Sequence, residues 1–421
     1  MNTLNKLIYL DYHATTPVDK RVLEEMLPYF TEEFGNAASK THWYGLKAEK
    51  AVSKARRQLA NNLNAEEKEI FFTSGATESI NMAIKGVFNI FGTKKNHFIT
   101  ADTEHYAVLD CHDYIRRKGA QVTTLPVNAD GLVSLDHIES AITDRTALVS
   151  VMFANNEIGT VQPVSEIAKL CQEKGVLFFT DATQALGKVP INVKQLSIDM
   201  LACSSHKVYG PKGVGLLYVK KSRPRIKLDP LIHGGGHERG MRSGTLNIPG
   251  IVGFAKAVDI SCHGMVEEMD KIQDLRDHLQ DRLISELPDV IINGDKENRL
   301  SNNLNIAFLG VEAEALMLSL KNEIAVSSGS ACTSEEFKPS HVLKALGLED
   351  DIIFSSIRFS LGRYTTENEI EYSANRVIDE VRRLREISIN YTELKDRYKS
   401  RIAIGYLSNS KSTPTTAKFG A

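Results

Sequence analysis

The chain has little of what marks secreted, membrane-spanning or polyanion-binding proteins. Its 421 residues include five cysteines and no C-x-x-C pair, which argues against a disulfide framework or a thiolate zinc site and favours a reducing compartment. No apolar run approaches the roughly 18 residues that a membrane span needs. The formal net charge of -2 supplies no field that attracts nucleic acid or acidic membranes.

The first residues also lack the pattern of a targeting peptide. Their only apolar run, residues 7–10, is short and is followed by Asp11. We therefore expect a cytoplasmic protein that binds neither a membrane nor nucleic acid directly.

Short apolar runs alternate with amphipathic segments between residues 70 and 220. The runs predict strands at residues 70–73, 97–100, 122–127, 147–153, 176–180, 200–204 and 215–219. Strands that are apolar on both faces and separated by helices indicate an α/β fold with a mainly parallel seven-stranded sheet flanked by helices. Ligands of such sheets bind at the carboxyl ends of the strands.

The length of the chain favours two domains rather than one core. We place a large domain at residues 16–262 and a smaller α+β domain at residues 1–15 and 263–395. A long helical pattern that is broken near Gly264 connects them. The remaining residues 396–421 are rich in Ser, Thr and Lys, and we expect them to form a mobile tail.

Lys207 stands where an apolar run ends and a polar, glycine-rich loop begins. Desolvation lowers the pKa of an amine, and a neutral amine can react with an aldehyde. Most lysines at such a place are merely solvated or paired with a carboxylate, so Lys207 predicts a function only together with its surroundings.

Polar side chains follow several of the other predicted strands. His105, Asn156, Asp181 and Gln184 come after strand ends, and residues 74–79 place small and hydroxyl side chains before a helix. Such a helix start suits a phosphate, although Ser and Thr also cap helices routinely and the P-loop signature is absent. A reactive lysine, a phosphate cradle, a ring-stacking group and a buried carboxylate together suit pyridoxal phosphate.

With these motifs the chain resembles the cysteine desulfurases of the NifS/IscS group, which are class-V aminotransferase-like enzymes of pyridoxal phosphate fold-type I. The resemblance extends from about Ile8 to about Arg385. It implies that pyridoxal 5'-phosphate is the cofactor, that L-cysteine is the substrate and L-alanine a product, and that the enzyme is a homodimer.

The resemblance also implies roles for individual residues. Lys207 corresponds to the lysine that binds the cofactor covalently, and His105 to the residue that stacks on the pyridine ring and serves as an acid or base. Asp181 corresponds to the partner of the ring nitrogen and Gln184 to that of the ring hydroxyl. Further cofactor contacts are implied for Ala76, Thr77, Asn156, His206, either Ser204 or Ser205, and, across the dimer, Thr245.

Cys332 lies in a segment of Ser, Gly and Ala at residues 327–334. A buried structural cysteine is the common interpretation of such a residue. The segment nevertheless matches the nucleophilic loop of the longer-loop desulfurases, which implies that the Cys332 thiolate receives the sulfur as a persulfide. The other cysteines lie in helical or strand patterns, and we interpret them as structural: Cys111, Cys171, Cys203 and Cys262.

Arg358 corresponds in the family to the arginine that binds the substrate α-carboxylate, beside Asn156. A planar guanidinium suits this bidentate task, although a surface ion pair is the ordinary interpretation of an arginine.

The family passes the persulfide sulfur to acceptor proteins for iron–sulfur cluster assembly and tRNA thiolation. No resident metal is implied, but a cluster bridged through Cys332 is compatible with the transfer step. The chain after Arg401 does not resemble the family segment that docks the cluster scaffold, so this partner is implied less strongly than the chemistry.

Other functions are compatible with parts of the pattern. Transamination or selenocysteine lysis would use the same cofactor, but transamination leaves Cys332 without a task. A non-catalytic scaffold would not need Lys207, His105 and Asp181 together. The residues 233–236, His-Gly-Gly-Gly, resemble the oxyanion loop of a serine hydrolase, but the chain has no G-x-S-x-G motif.

Overall fold

The structure, a computed structural model, describes residues 7–221, 226–328 and 339–401. Its strands are β1 (Ile8–Tyr9), β2 (Ile70–Thr73), β3 (His97–Ala101), β4 (Gln121–Leu125), β5 (Thr146–Ser150), β6 (Leu177–Asp181), β7 (Met200–Ser204), β8 (Gly215–Val219), β9 (Val290–Ile292), β10 (Asn303–Phe308), β11 (Ile324–Ala325) and β12 (Ser356–Ser360). Its α-helices are α1 (Lys20–Met26), α2 (Pro28–Thr31), α3 (Trp43–Leu63), α4 (Ala76–Phe91), α5 (Tyr106–Arg117), α6 (Leu135–Ala141), α7 (Val164–Glu173), α8 (Ile248–His263), α9 (Met265–Glu286), α10 (Ala313–Leu320), α11 (His341–Ala345), α12 (Asp350–Phe354), α13 (Glu367–Glu386) and α14 (Tyr391–Arg397).

Strands β2 to β8 form one seven-stranded sheet in the order β2-β8-β7-β6-β5-β3-β4. Strand β8 runs antiparallel to both of its neighbours, and the other pairs are parallel. Strands β5, β7 and β8 are buried along their whole length, because helices cover both faces of the sheet. The predicted α/β fold with a mainly parallel sheet is confirmed. Strand β5 ends at Ser150, earlier than predicted, although the N–H groups of Val151 and Phe153 still donate to the carbonyls of Phe179 and Asp181 in β6.

The two faces of the sheet belong to different hydrophobic clusters. Helices α3, α7 and α8 pack on one face, and helices α4 and α5 on the other. Neighbouring residues of one strand contribute to opposite clusters, as Phe71 and Phe72 of β2 do, because side chains alternate along a strand. Gly264 separates α8 from α9 at the predicted break in the helical pattern.

A further hydrophobic cluster, which we call the second cluster, lies outside the large sheet and surrounds the antiparallel strands β12-β10-β9. Helices α9, α10 and α13 cover it, and α13 begins with a capping box between Thr366 and Glu369. The N-terminal residues Ile8 and Leu10 belong to this cluster, and β1 pairs in parallel with β11. The proposed domain division at residues 16–262 and 263–395 stays a prediction.

Residues 396–401 begin within helix α14, and all of them except Tyr398 are exposed. Tyr398 is buried, and its hydroxyl donates to Glu349 at 2.8 Å. The rest of the predicted tail, residues 402–421, lies outside the described residues. Within the described ranges, no helix combines the length and the apolar character that crossing a membrane requires.

Arg363 joins the second cluster to the part of the chain that carries the large sheet. Its guanidinium donates to Asp19 and to Glu268, each at 2.7 Å, and lies 4.1 Å from the ring centroid of Tyr209. The Arg363 side chain is only 10% exposed. Removing one member of such a buried charge cluster takes a buried counter-charge from the others, which costs more than the loss of an exposed ion pair.

We predict that Arg363→Met lowers the free energy of unfolding by about 3 kcal/mol, because Asp19 and Glu268 lose a buried partner. Urea denaturation followed by circular dichroism measures this change. The control is Arg382→Met, which removes the exposed pair with Glu286 and should cost less than about 1 kcal/mol. Equal effects of the two substitutions would contradict the structural role given to Arg363.

Candidate active site

A cavity of about 590 Å³ lies at the carboxyl ends of the parallel strands. Its walls come from the loops after β2, β3, β5, β6 and β7 and from the N-terminal segment, because parallel strands present these ends at one edge of the sheet. The predicted site residues that line it are Ala76, Thr77, His105, Asn156, Asp181, Gln184, Ser204, His206, Lys207 and Arg358.

Three other predicted residues are not among those that line the cavity. Ser205 is fully buried, and it packs so closely against Gly210 that a Cβ there would lie 2.0 Å from its Oγ. Of the two candidate serines, Ser204 is therefore the one at the cavity. Thr245 is exposed on the loop before α8. Cys332 lies outside the described residues.

Lys207 reaches the cavity from a 3-10 turn that directly follows β7. Its Nζ donates to the backbone carbonyl oxygens of His13 at 2.6 Å and Ala14 at 2.8 Å. These carbonyls belong to the segment that continues from β1. His13 and Ala14 precede Lys207 by 194 and 193 residues, so the position of the amine depends on contacts between distant parts of the chain.

The start of helix α4 faces the same cavity and forms the candidate phosphate cradle. Its N-cap is Gly75, so no side chain caps the helix and the first N–H groups, at Ala76 and Thr77, are available to an anion. Gly215 permits the close approach of β8, since a Cβ there would lie 2.7 Å from the Cα of Gly75. The hydroxyl of Ser204 adjoins Gly75 on the other side. This donor set fits a phosphate group.

Glu78 adds a negative charge to the first turn of α4, where it would repel a phosphate. Arg242 donates to its carboxylate at 2.8 Å, and the backbone N–H of Ser74 donates at 2.7 Å. Burial raises the pKa of Glu78, but these hydrogen bonds outweigh burial and lower it overall. Glu78 therefore stays ionised, and the positive charge of Arg242 balances its negative charge.

His105 and Asp181 lie on the walls between the cradle and Lys207. The Nδ1 atom of His105 accepts the backbone N–H of Ala107 at 3.1 Å, which leaves the proton of the neutral ring on Nε2. Burial lowers the pKa of His105, and Lys207 lowers it further although Asp181 opposes both. At neutral pH the ring is therefore uncharged and can donate a proton from Nε2.

Asp181 is a buried carboxylate, and only one of its two oxygens accepts hydrogen bonds from the described residues. Its Oδ1 accepts the backbone N–H of Thr183 at 2.9 Å and also the Thr183 hydroxyl. Among the described residues no side chain or backbone group donates to Oδ2. A buried carboxylate with one oxygen available at a cavity wall suits a protonated ring nitrogen.

His206 borders the cavity on the far side of Ser204. Its Nδ1 lies 3.1 Å from the hydroxyl of Thr15, and its backbone carbonyl accepts the N–H of Thr16. Burial, followed by Lys207, lowers the pKa of His206 to about 4. A neutral imidazole N–H can donate a hydrogen bond to a phosphate, but it does not supply a positive charge at neutral pH.

Arg358 comes from strand β12, in the second cluster, and is buried rather than at the surface. It donates to Asp11 at 2.7 Å and to the backbone carbonyl of Asn156 at 3.0 Å. Its Nε is buried without a partner in the described part of the chain. Arg358 thus lines the cavity while one of its donors stays unsatisfied by the described residues.

Glu157 follows Asn156 and is buried behind it. Ser340 donates its hydroxyl to the Glu157 carboxylate, and it also caps helix α11. Burial raises the pKa of Glu157 to about 7, even though Ser340 and Arg358 lower it. The carboxyl thus changes its charge near neutral pH.

Sequence reasoning missed several residues that support the site. They are Asp11 and His13 in the N-terminal segment, Glu78 with its partner Arg242, Glu157, and the buried Lys188. Asp11 and His13 follow a short apolar run, the same signal that identified the other strand ends. Nothing in the local pattern around Lys188 indicates that its amine is buried.

Comparisons with known proteins identify the family of the chain. A family model described as aminotransferase class-V matches residues 8–372. A Rickettsia bellii protein named cysteine desulfurase IscS is 50% identical over 392 residues, which cover 92% of this chain and 95% of that protein. A solved NifS-like protein has a TM-score of 0.83 at 39% identity and covers 89% of this chain and 99% of its own. A structure described as SspA in complex with cysteine has a TM-score of 0.76 at 38% identity, with coverage of 85% and 100%.

We predict that Glu157→Gln becomes more stable relative to the wild type as the pH rises from 5 to 8. Glu157 has a pKa of about 7 in the folded chain against an ordinary 4.5, so between these values the folded state binds the extra proton. Wild-type stability therefore falls as the pH rises through this window, whereas the amide has no proton to lose. The difference in free energy of unfolding should grow by about 2 kcal/mol.

Urea denaturation of the apoprotein at several pH values measures this difference. Glu66→Gln is the control, because the hydrogen bond from Lys221 lowers the pKa of Glu66 and keeps that carboxylate ionised across the whole window. Its difference from the wild type should stay constant. A constant difference for Glu157→Gln as well would show that Glu157 does not hold a proton near neutral pH.

Proposed function

This chain belongs to the class-V aminotransferase family, and we propose that it acts there as a cysteine desulfurase that uses pyridoxal 5'-phosphate. The 50% identity with a protein named cysteine desulfurase IscS covers nearly the whole of both chains. The family resemblance inferred from the sequence is thus confirmed. The observation that carries the proposed chemistry is the placement of Lys207 and the half-occupied carboxylate of Asp181 on one cavity.

The residues that would hold the cofactor are those of the cradle and the two walls. The N–H groups of Ala76 and Thr77, with Ser204 and His206, would bind its phosphate, and Lys207 would bind its aldehyde carbon. The Oδ2 of Asp181 would bind the ring nitrogen, and Gln184 the ring hydroxyl. When bound, the cofactor supplies an electron sink for negative charge at the substrate Cα.

The substrate would be oriented by Arg358 and Asn156. Arg358 would bind the α-carboxylate of L-cysteine. To do so, its guanidinium would give up part of its hydrogen bonding to Asp11 in favour of the substrate. The amine of Lys207, once it is released, or the ring of His105 moves the proton at Cα. His105 can donate from Nε2 because its Nδ1 is held by the start of helix α5.

Cys332 completes the reaction by taking the sulfur. Its thiolate attacks the substrate sulfur, the bond between that sulfur and Cβ breaks, and a persulfide forms on Cys332. Protonation of the remaining three-carbon unit gives L-alanine. An acceptor thiol then removes the outer sulfur by an exchange step.

The partners of the enzyme belong to the same proposal. Thr245 is exposed outside its own cavity, which is compatible with a contact to the phosphate of a second subunit. We therefore propose a homodimer in which each site receives Thr245 from the other chain. Acceptor proteins for iron–sulfur cluster assembly would take the sulfur from Cys332.

We predict that Cys332→Ser lowers alanine formation from L-cysteine by at least about 100-fold while the visible absorbance of the bound cofactor is retained. Alanine is quantified after incubation with L-cysteine and a thiol. Cys262→Ser is the matched control, because burial raises the pKa of Cys262 to about 11 and leaves it unreactive. Unchanged turnover in Cys332→Ser would exclude the desulfurase mechanism and favour another reaction of the same cofactor.

We also predict that Lys207→Ala lowers turnover of L-cysteine by at least about 100-fold, because no lysine amine remains to move the proton. Alanine and sulfide formed by the reconstituted protein with L-cysteine measure this. Lys220→Ala, which removes a lysine paired with Asp199, serves as the control. Release of sulfide by Lys207→Ala at the wild-type rate would refute the assignment.

A further inference from the structure

Lys188 is a buried lysine that the proposed mechanism does not use. Its residue is only 7% exposed, and no carboxylate in the described ranges lies within ion-pair distance of its Nζ. The Nζ donates instead to two oxygens of Gln184, the backbone carbonyl at 3.0 Å and the side-chain Oε1 at 3.1 Å. Burying an amine without an ion-pair partner is costly, so the position calls for a functional explanation.

The contact with Gln184 is fixed by the turn that follows strand β6. Backbone hydrogen bonds from Leu186 to Ala182 and from Val189 to Ala185 wind this segment into helical turns. Residues four apart in such turns face the same side. Lys188 therefore stands directly behind Gln184, which lines the cavity.

The donors and acceptors determine which way the Gln184 amide faces. A lysine amine offers two N–H donors even when it is neutral, and both acceptors that it meets are oxygens of Gln184. The side-chain Nε2 of Gln184 donates to the backbone carbonyl of His13 at 3.0 Å. With Oε1 held by Lys188, the second Nε2 proton is the one polar group of the amide that is left for the cavity.

We propose that Lys188 is a positioning residue that holds the Gln184 amide in the orientation in which it donates an N–H to the cofactor's ring oxygen. This inference rests on the proposed function, because that oxygen belongs to the cofactor. Without Lys188, only one hydrogen bond among the described residues, from Nε2 to the carbonyl of His13, opposes rotation of the amide. A turned amide would present its oxygen to the cofactor's oxygen, and two oxygens that face each other repel. Lys188 thereby acts through Gln184 and does not touch the cofactor itself.

The charges around Lys188 agree with this role. Burial, together with the charge of Lys207, lowers the pKa of Lys188 to about 7, while Glu268 opposes this shift. His13 and His206 also feel its charge, and burial keeps both of these rings neutral. Because a neutral amine still donates to both Gln184 oxygens, the orientation of the amide does not depend on the charge of Lys188.

A double-mutant cycle on cofactor binding tests the proposal. The variants are Lys188→Met, Gln184→Leu and the double variant, and the measurement is the dissociation constant of the apoprotein for pyridoxal 5'-phosphate by absorbance titration. Lys188→Met should weaken binding about three- to tenfold, the range of one hydrogen bond. In the Gln184→Leu background the same substitution should have no further effect, because its target is absent.

The controls separate this role from a merely structural one. Lys220→Met, at a lysine remote from the cavity, should leave the dissociation constant unchanged. Gln184→Glu should weaken binding at least as much as Gln184→Leu, because a carboxylate accepts from Lys188 but has no N–H to donate. If Lys188→Met does not fold, Lys188→Leu replaces it in the cycle, since its side chain has no donor for Oε1.

Three results would overturn the proposal: equal weakening by Lys188→Met in both backgrounds, no weakening in either, or wild-type affinity in Gln184→Glu. Each would mean that Lys188 does not act through the donor of Gln184. A wild-type protein that fails to bind pyridoxal 5'-phosphate would instead refute the proposed function. The two failures are thus distinguishable.

Discussion

The carbonyl oxygen of His13 is the contact on which the site depends. It accepts both the amine of Lys207 and the amide of Gln184, so one backbone atom sets the distance between the two walls of the cavity. The ring of His13 is itself held by the carbonyl of Asn156 and by Asn302. The residues just before it fix Arg358 through Asp11. The N-terminal segment thus connects the large sheet, the second cluster and the candidate catalytic amine.

Most ionisable side chains at the cavity either have an oppositely charged partner or are kept neutral by burial. Arg242 neutralises Glu78, and Asp11 pairs with Arg358, whereas burial keeps His105 and His206 uncharged. A phosphate in the cradle would therefore be bound mainly by N–H and O–H dipoles and the start of helix α4. Such fixed dipoles need little reorganisation when a ligand binds, which favours tight binding.

Much of this arrangement follows from local patterns, and the rest follows from contacts that no local pattern contains. The strand ends predicted His105, Asp181 and Lys207 at one edge because parallel strands end together. The pair of Arg358 and Asp11 could not be found in this way, since its members are 347 residues apart. Lys188 could not be found either, because a lysine in a turn is usually solvated and only the tertiary packing buries it. Ser204 and Ser205 are neighbours, and only the close packing at Gly210 separates their roles.

The parallel pairing of β1 with β11 has a consequence for how the protein is made. Residues 8 and 9 leave the ribosome first, but their partners at residues 324 and 325 emerge only after some three hundred further residues. Until then, the segment that carries the Lys207 carbonyls has only its contacts with the large sheet, such as the hydrogen bond from Thr16 to His206. Loop closure over such a separation is slow. We therefore expect a nascent or C-terminally truncated chain to form the large sheet before the N-terminal segment is anchored on both sides.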